Sequence, residues 1–325
     1  MRRAFLVSAL AAGTLLAAGL PAHAQPETYP DKPIRVIFPY PAGSAPDVVG
    51  RLIVDRAARI LGQPMVFDNR PGANGILATT AAARAAADGY TIHLTTTSAL
   101  SLNKFLRKDL PYDPEKGFRP IIALAELPVG LVISSRIPAA NLRDFIAYAK
   151  SQPGQPYASI GIGSFNHLLM EQFKSVSGVD LLHVPYQGAA PVVNEMMAGR
   201  VNVTVLSVGS VLSQMKAGQV KVLAFMTKKR VPSQPEVPTV SELFPAFKPF
   251  DNWMGFVAPA QTPDHVVQKL NAAFRQVLQQ PDVRKKIEEE HWRVLGGSPA
   301  DLAEIMEADW PAIAAVVKTA GVKPE

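Results

Sequence analysis

Apolar positions along this chain fall into two kinds of block: short β-branched runs, and longer stretches in which apolar residues recur three or four positions apart. Ile34-Arg35-Val36-Ile37-Phe38 is the first run and reads as a buried strand. Pro39 and Pro41 end it, because proline has no N–H to give a strand ladder. Ser44-x-x-Asp47 then opens a helix as a capping box, with Pro46 in its first turn and Val48, Val49, Leu52, Ile53 and Ile60 along an apolar face. Met65-Val66-Phe67 is a second strand that stops at the turn Asn69-Arg70-Pro71-Gly72. An alanine-rich helix over 75–87 and a strand over 90–96 follow, with polar residues at the strand's carboxyl end. Strand and helix in this alternation argue for a doubly wound parallel sheet.

The apolar runs 121–125 and 131–134 are separated by Pro128-Val129-Gly130, where the chain is expected to cross into a second lobe. Asn141 caps a helix over 142–150. Strand 157–160, helix 164–176, strand 181–184, helix 189–198 and strands 201–206 and 220–226 form a second βα series. Proline-rich 231–249 brings the chain back, and strand 253–257 rejoins the first lobe. Two long helices close it: 262–280, capped by Thr262, and 298–319, opened by Ser298-x-x-Asp301 and kinked at Pro311. The expected fold is therefore α/β and two-lobed, with two doubly wound sheets joined by two hinge crossings. Residues 25–127 and 251–325 make a discontinuous first lobe, and 128–250 the second. Two α/β lobes on a hinge are the geometry of periplasmic binding proteins.

Arg2 and Arg3 before an apolar run, ending in the small-residue site Ala22-His23-Ala24, read as a secretory signal peptide over 1–24. Export to the periplasm follows, and the absence of cysteine agrees with it: disulfides, thiol nucleophiles and thiolate metal sites are all excluded. The 33 Lys and Arg against 27 Asp and Glu give +6; without Arg2 and Arg3, 31 against 27 leaves +4. That charge is dispersed. Its one cluster, Lys228-Lys229-Arg230, reads as a solvated turn and not as a nucleic-acid patch.

Candidate chemistry lies where strands hand over to helices. In open α/β sheets, ligands sit beyond the carboxyl ends of the strands. There a helix N-terminus offers free N–H groups and a positive dipole end to an anion. Gly43–Ser44, Thr97–Ser98, Gly163–Ser164 and Tyr186–Ala190 stand at such ends. Each has a structural reading too: Asp47 and His167 as helix-start residues, Tyr40 and Tyr186 as packing residues. Gly161-x-Gly163-x-x-Asn166 lacks the third glycine of the dinucleotide fingerprint. No G-x-S-x-G elbow, phosphate loop or H-E-x-x-H motif occurs, and no histidines show metal-ligand spacing. The reading is a non-enzymatic binder without metal or cofactor.

The opening F-P-Y-P-A-G (Phe38–Gly43) resembles that of the solute-binding proteins of tripartite tricarboxylate transporters, the Bug family. The resemblance runs on in register through F-D-N-R-P-G-A-N-G from Phe67, D-G-Y-T from Asp88 and L-P-Y-D-P from Leu110. It continues through G-I-G-S-x-x-H from Gly161, H-V-P-Y-Q-G from His183, P-E-V-P-T-V-S-E from Pro235 and A-P-A-Q-T-P from Ala258. It implies a class II type periplasmic-binding-protein fold that captures a small carboxylate (a di- or tricarboxylate, or an aromatic one). The captured ligand would be delivered by a monomer to a two-component integral-membrane permease. It also implies ligand contacts at Tyr40, Ala42, Gly43, Ser44, Asp47, Thr97, Ser98, Gly163, Ser164, His167, Tyr186, Gln187, Gly188, Ala189 and Ala190. Three positions depart from the family's habit: Ser44-Ala45-Pro46 replaces a second glycine and small residues, Gln187 a basic residue, and Leu206 an aspartate. Leu206 is expected to face the cleft and to disfavour ligands with an α-ammonium group. A receptor presenting its ligand to a membrane sensor would share this cleft, and a hydrolase would need a site assembled from distant residues.

Overall fold

The computed structural model describes residues 29–320 and 322. The expected signal peptide, 1–24, lies outside them. The strands, in chain order, are β1 (Ile34–Phe38), β2 (Met65–Asn69), β3 (Thr91–Thr96), β4 (Phe118–Glu126), β5 (Val129–Ser134), β6 (Gln155–Ser159), β7 (Leu181–Pro185), β8 (Val203–Ser207), β9 (Val220–Phe225), β10 (Trp253–Pro259) and β11 (Arg293–Gly296). They form two sheets, ordered β11-β4-β10-β3-β1-β2 and β7-β6-β8-β5-β9. The chain passes from the first sheet to the second between Glu126 and Val129. It rejoins the first at Trp253.

Both sheets are mixed, not parallel throughout. β1, β2 and β3 are parallel, but β10 runs antiparallel to β3 and β4. β6, β7 and β8 are parallel, but β5 runs antiparallel to β8 and β9. The cause is the hinge. β5 and β10 each start at the crossing, beside the carboxyl ends of the parallel strands, and must therefore run the other way. The register records it: Val129 lies opposite Ser207, Trp253 opposite Glu126 and Met254 opposite Thr96. The carboxyl edges of both sheets thus abut the same hinge.

Local sequence explains most elements. The helix Ala45–Leu61 buries Val49, Ile53, Val54 and Ala57 against the first sheet and ends at Gly62, whose φ of 73° is left-handed. Asn141 caps Leu142–Ser151, and Ser298 with Asp301 forms the expected box at Pro299–Thr319. Thr262 does not cap the next-to-last long helix: that helix is Asp264–Leu278, and the buried Thr262 hydroxyl has no partner. Two elements lie between that helix and the last one where no element was expected, the helix Pro281–Glu289 and β11. The sequence alone places the final helix wholly in the first lobe. Instead it spans both, because Leu302 and Met306 join Trp253 and Val257 in a first-lobe cluster, while Ile313, Val316 and Val317 pack into the second-lobe core with Phe165 and Phe173. Pro311 separates the two halves.

Candidate functional site

Four helices start at the carboxyl ends of parallel strands facing the hinge: Ala45–Leu61, Phe165–Ser177, Ala189–Ala198 and Val208–Lys216. Three of them lack a side-chain cap. Ser44, Gly188 and Ser207 hold the N-cap positions without bonding the first-turn N–H groups. Uncapped N–H groups at the dipole's positive end are free to meet an anion.

In the first lobe the loop after β1 folds over itself. The Ser44 hydroxyl donates to the Pro41 carbonyl at 2.8 Å, which is why it does not cap. Ala42 and Gly43 are exposed at the crest. Tyr40 is half-buried against Phe38, and burial raises its phenol, partly offset by the Thr96 hydroxyl. The expected capping box between Ser44 and Asp47 does not form. Asp47 is 2% exposed, and its carboxylate accepts from the Gly43 N–H (2.9 Å), Arg51 Nε (2.9 Å) and Asn69 Nδ2 (2.7 Å). Burial pushes that carboxyl up, but these hydrogen bonds outweigh burial and hold it below the usual range. With its oxygens engaged from below, Asp47 is a strut of the loop.

Thr97 is also a structural tie. Its hydroxyl donates to the Asp251 carbonyl and accepts the Trp253 N–H, both at 2.8 Å, fastening the end of β3 to the returning chain. Ser98, half-buried, opens a π-type turn, Ser98–Leu102.

In the second lobe Ser164 caps as expected, accepting the His167 N–H at 3.3 Å and donating to the Gly161 carbonyl at 2.7 Å. Gly163 donates its N–H to His167 Nδ1 at 3.1 Å. That bond puts the imidazole's proton on Nε2. His183 lies against the His167 ring and pairs through Nε2 with the Ser159 hydroxyl at 2.7 Å. Tyr186 is half-buried, Gln187 and Ala190 are exposed, and Gly188 takes φ 105°, a conformation that favours glycine, just before the uncapped helix. Leu206 does not face the cleft. It is 2% exposed and packs with Val132, Val192, Met196 and Val211. β8 is buried on both faces, so strand alternation alone does not say which face is the core.

The helix Val208–Lys216 is additional to the elements expected from the sequence, although Ser207 followed by Val208, Val211, Leu212 and Met215 is a helix signature. Asn69, Arg51, Asp251 and His183 were not singled out either. They support the loops from residues distant in sequence or beneath them. Among the described residues, no group of His, Asp and Glu is placed to hold a metal ion, and no helix is long and apolar enough to cross a membrane.

Two α/β lobes on a double crossing, with loop–helix junctions of both turned to the hinge, define a two-lobed periplasmic binding protein. The chain belongs to the tripartite tricarboxylate transporter receptor family, whose profile matches residues 49–322. BugT of Bordetella pertussis is 34% identical over 265 residues, 81% of each chain. Rpa4515 of R. palustris, solved with adipate, is 32% identical and superposes with a TM-score of 0.83 over 91% of this chain and 100% of that one. MatC of Rhodopseudomonas palustris, solved with bound malate, is 31% identical with a TM-score of 0.78 over 89% and 100%. Proteins of this family are periplasmic binding proteins.

Proposed function

We propose that this protein captures a small carboxylate between its lobes, after export and removal of residues 1–24, and delivers it as a monomer to a two-component integral-membrane permease. The observation that carries the reading is the set of uncapped helix starts at Ala45, Ala189 and Val208, beside the loops of 40–44 and 161–164. A helix start contributes about 0.3–2 kcal/mol toward an anion, and a charge-assisted hydrogen bond roughly 1.5–3 kcal/mol. Two carboxylates held from opposite lobes can therefore reach about −8 kcal/mol, a micromolar ligand, after ordering costs. Adipate and malate in the two relatives support the dicarboxylate end of this class. Tyr40, Ala42, Gly43, Ser44, Ser98, Gly163, Ser164, His167 and Tyr186–Ala190 are the proposed contact positions, with Asp47 and Thr97 acting through the backbone they hold.

The test is a thermal-shift screen of chain 25–325 against mono-, di- and tricarboxylates, aliphatic and aromatic, followed by calorimetry on the hits. A micromolar carboxylate is expected, recovered unchanged after hours with the protein by NMR. A screen in which no carboxylate raises the melting temperature, or in which the ligand is converted, overturns the reading.

A further inference from the structure

Resting on that reading, we propose that Asn69 is the positioning residue of the first-lobe ligand loop: its side-chain amide holds the backbone of residues 40–43 in the shape that meets a carboxylate. Asn69 ends β2, the strand next to the loop's own β1. Its Nδ2 donates to the Tyr40 carbonyl at 2.9 Å and to Asp47 Oδ1 at 2.7 Å. Its Oδ1 accepts from the Arg51 guanidinium at 2.6 Å. Both amide hydrogens and the carbonyl are thus engaged in different directions, which leaves the group one orientation.

The grip passes on through Asp47, whose Oδ2 accepts both the Gly43 N–H and Arg51 Nε at 2.9 Å. The loop is therefore held at the Tyr40 carbonyl directly and at the Gly43 N–H by relay. Its internal ties are two bonds to one acceptor, the Pro41 carbonyl: the Ser44 N–H at 3.3 Å and the Ser44 hydroxyl. Arg51 pairs with Asp47, so the buried carboxylate does not stand as a bare negative charge beneath an anion-binding loop. The guanidinium is itself seated over the Phe67 ring, 4.7 Å from its centroid. A loop fixed before the ligand arrives loses less conformational freedom on binding.

Asparagine is the residue this arrangement requires. Aspartate has the same size but donates nothing to Tyr40 and sets a second carboxylate against Asp47. Alanine removes all three bonds. The other charged groups near this point are Arg51 on the helix, Asp68 and Arg35 on the strands, and Arg70 just after β2. Asp68 already accepts from both arginines, so an introduced carboxyl at position 69 faces Asp47 and Arg51 alone.

The test uses Asn69→Asp and Asn69→Ala in chain 25–325. The first readout needs no ligand: amide hydrogen exchange of the peptide holding Gly43, taken as the ratio of variant to wild type at each pH. At pH 8 exchange is expected to rise about tenfold in both variants, the worth of a hydrogen bond or two. In Asn69→Asp the rise shrinks toward pH 5, where facing carboxyls share a proton and an O–H donor returns to Asp47. Asn69→Ala shows no such recovery. The second readout is calorimetry with adipate and malate at pH 8, where whichever ligand wild type binds is expected to bind the variants about ten- to a hundredfold more weakly. If alanine prevents folding, the isosteric aspartate carries both readouts. Unchanged exchange at Gly43, or wild-type affinity in Asn69→Asp, overturns the proposal. Should wild type take up neither dicarboxylate, the ligand reading is challenged on its own, and exchange at Gly43 still decides the role of Asn69.

Discussion

The imidazole of His167 lies flat on that of His183, with ring centroids 3.9 Å apart and planes 12° from parallel. Burial, reinforced by the neighbouring His183, pushes His167 down to about 4, and burial lowers His183 as well. Protonating His167 takes the acceptor from the Gly163 N–H and sets a cation against the second ring. The folded value lies below the unfolded one near 6.5, so this group's stabilising neutrality is intact above 6.5 and is lost as pH falls toward 4. The full effect is roughly 3 kcal/mol. His167→Asn retains an acceptor for Gly163 and does not titrate. Urea unfolding at pH 7.5 and pH 4.5 should show wild type losing about 2 kcal/mol more than the variant. Equal losses would mean that His167 does not change protonation on unfolding.

A second titrating group sits at the hinge. Lys228, just after β9, places its Nζ 2.9 Å from Asp251 on the crossing and 2.8 Å from Asp309 on the last helix. Asp309 is fully buried, and burial raises it to about 6, with the Asp251 charge adding to the rise and Lys228 opposing it. A carboxyl raised above its unfolded value penalises the fold above pH 6, and the penalty fades as pH falls toward 4. Lys228→Ala leaves the two carboxylates without their shared cation; because the lysine side chain is 43% exposed and water screens it, the loss is about 1–2 kcal/mol at pH 7.5. At pH 5, with Asp309 protonated, the loss should fall to about half. Chemical denaturation at the two pH values measures it, and a loss independent of pH would assign the effect to packing of the lysine stem.

Elements with a strong period were legible in the sequence: β1, the helix after it, Asn141 and Ser298 as caps, and the Ser164 turn. What periodicity does not carry is direction, so the antiparallel course of β5 and β10 had to come from where the crossings enter. Nor does it tell a loop strut from a ligand contact. Asp47 in its capping position fits either role, and only the fold brings Asn69, 22 residues on, to its Oδ1. Leu206 differs from its expected position for a related reason. In a strand buried on both faces, nothing along the chain marks the cleft side.

Burial of Leu206 in the second-lobe core reverses its expected behaviour. Among Val132, Val192, Met196 and Val211, Leu206→Asp buries an unpaired carboxylate. The cost is above about 4 kcal/mol, beyond what an ordinary surface substitution gives. The variant should fail to fold its second lobe, seen as lost near-ultraviolet circular dichroism. Leu206→Ala, by contrast, should cost about 2–4 kcal/mol while leaving ligand affinity within about twofold of wild type. A folded Leu206→Asp protein with altered ligand choice would restore the cleft-facing assignment.

Gly163 tests how closely the lobes must sit. Its φ is +68°, and a Cβ there would come 3.1 Å from Leu106 Cδ1, on the segment that follows β3. Leu102 and Leu106 pack into the second-lobe core, so this contact belongs to the apolar seam joining the lobes beside the loops proposed to meet the ligand. Gly163→Ala therefore adds two separate costs: about 1–2 kcal/mol for a left-handed alanine, and a methyl wedged against Leu106. Removing the leucine in a Gly163→Ala, Leu106→Ala pair relieves the second and not the first, so the two are separated by a double-mutant cycle. Calorimetry with the best carboxylate should show the single glycine variant binding about tenfold more weakly. Small-angle scattering should show a smaller contraction on ligand addition than in wild type. In the pair, contraction should return although stability does not. If Leu106→Ala restores no contraction, the seam does not limit closure, and backbone strain at Gly163 accounts for the whole effect.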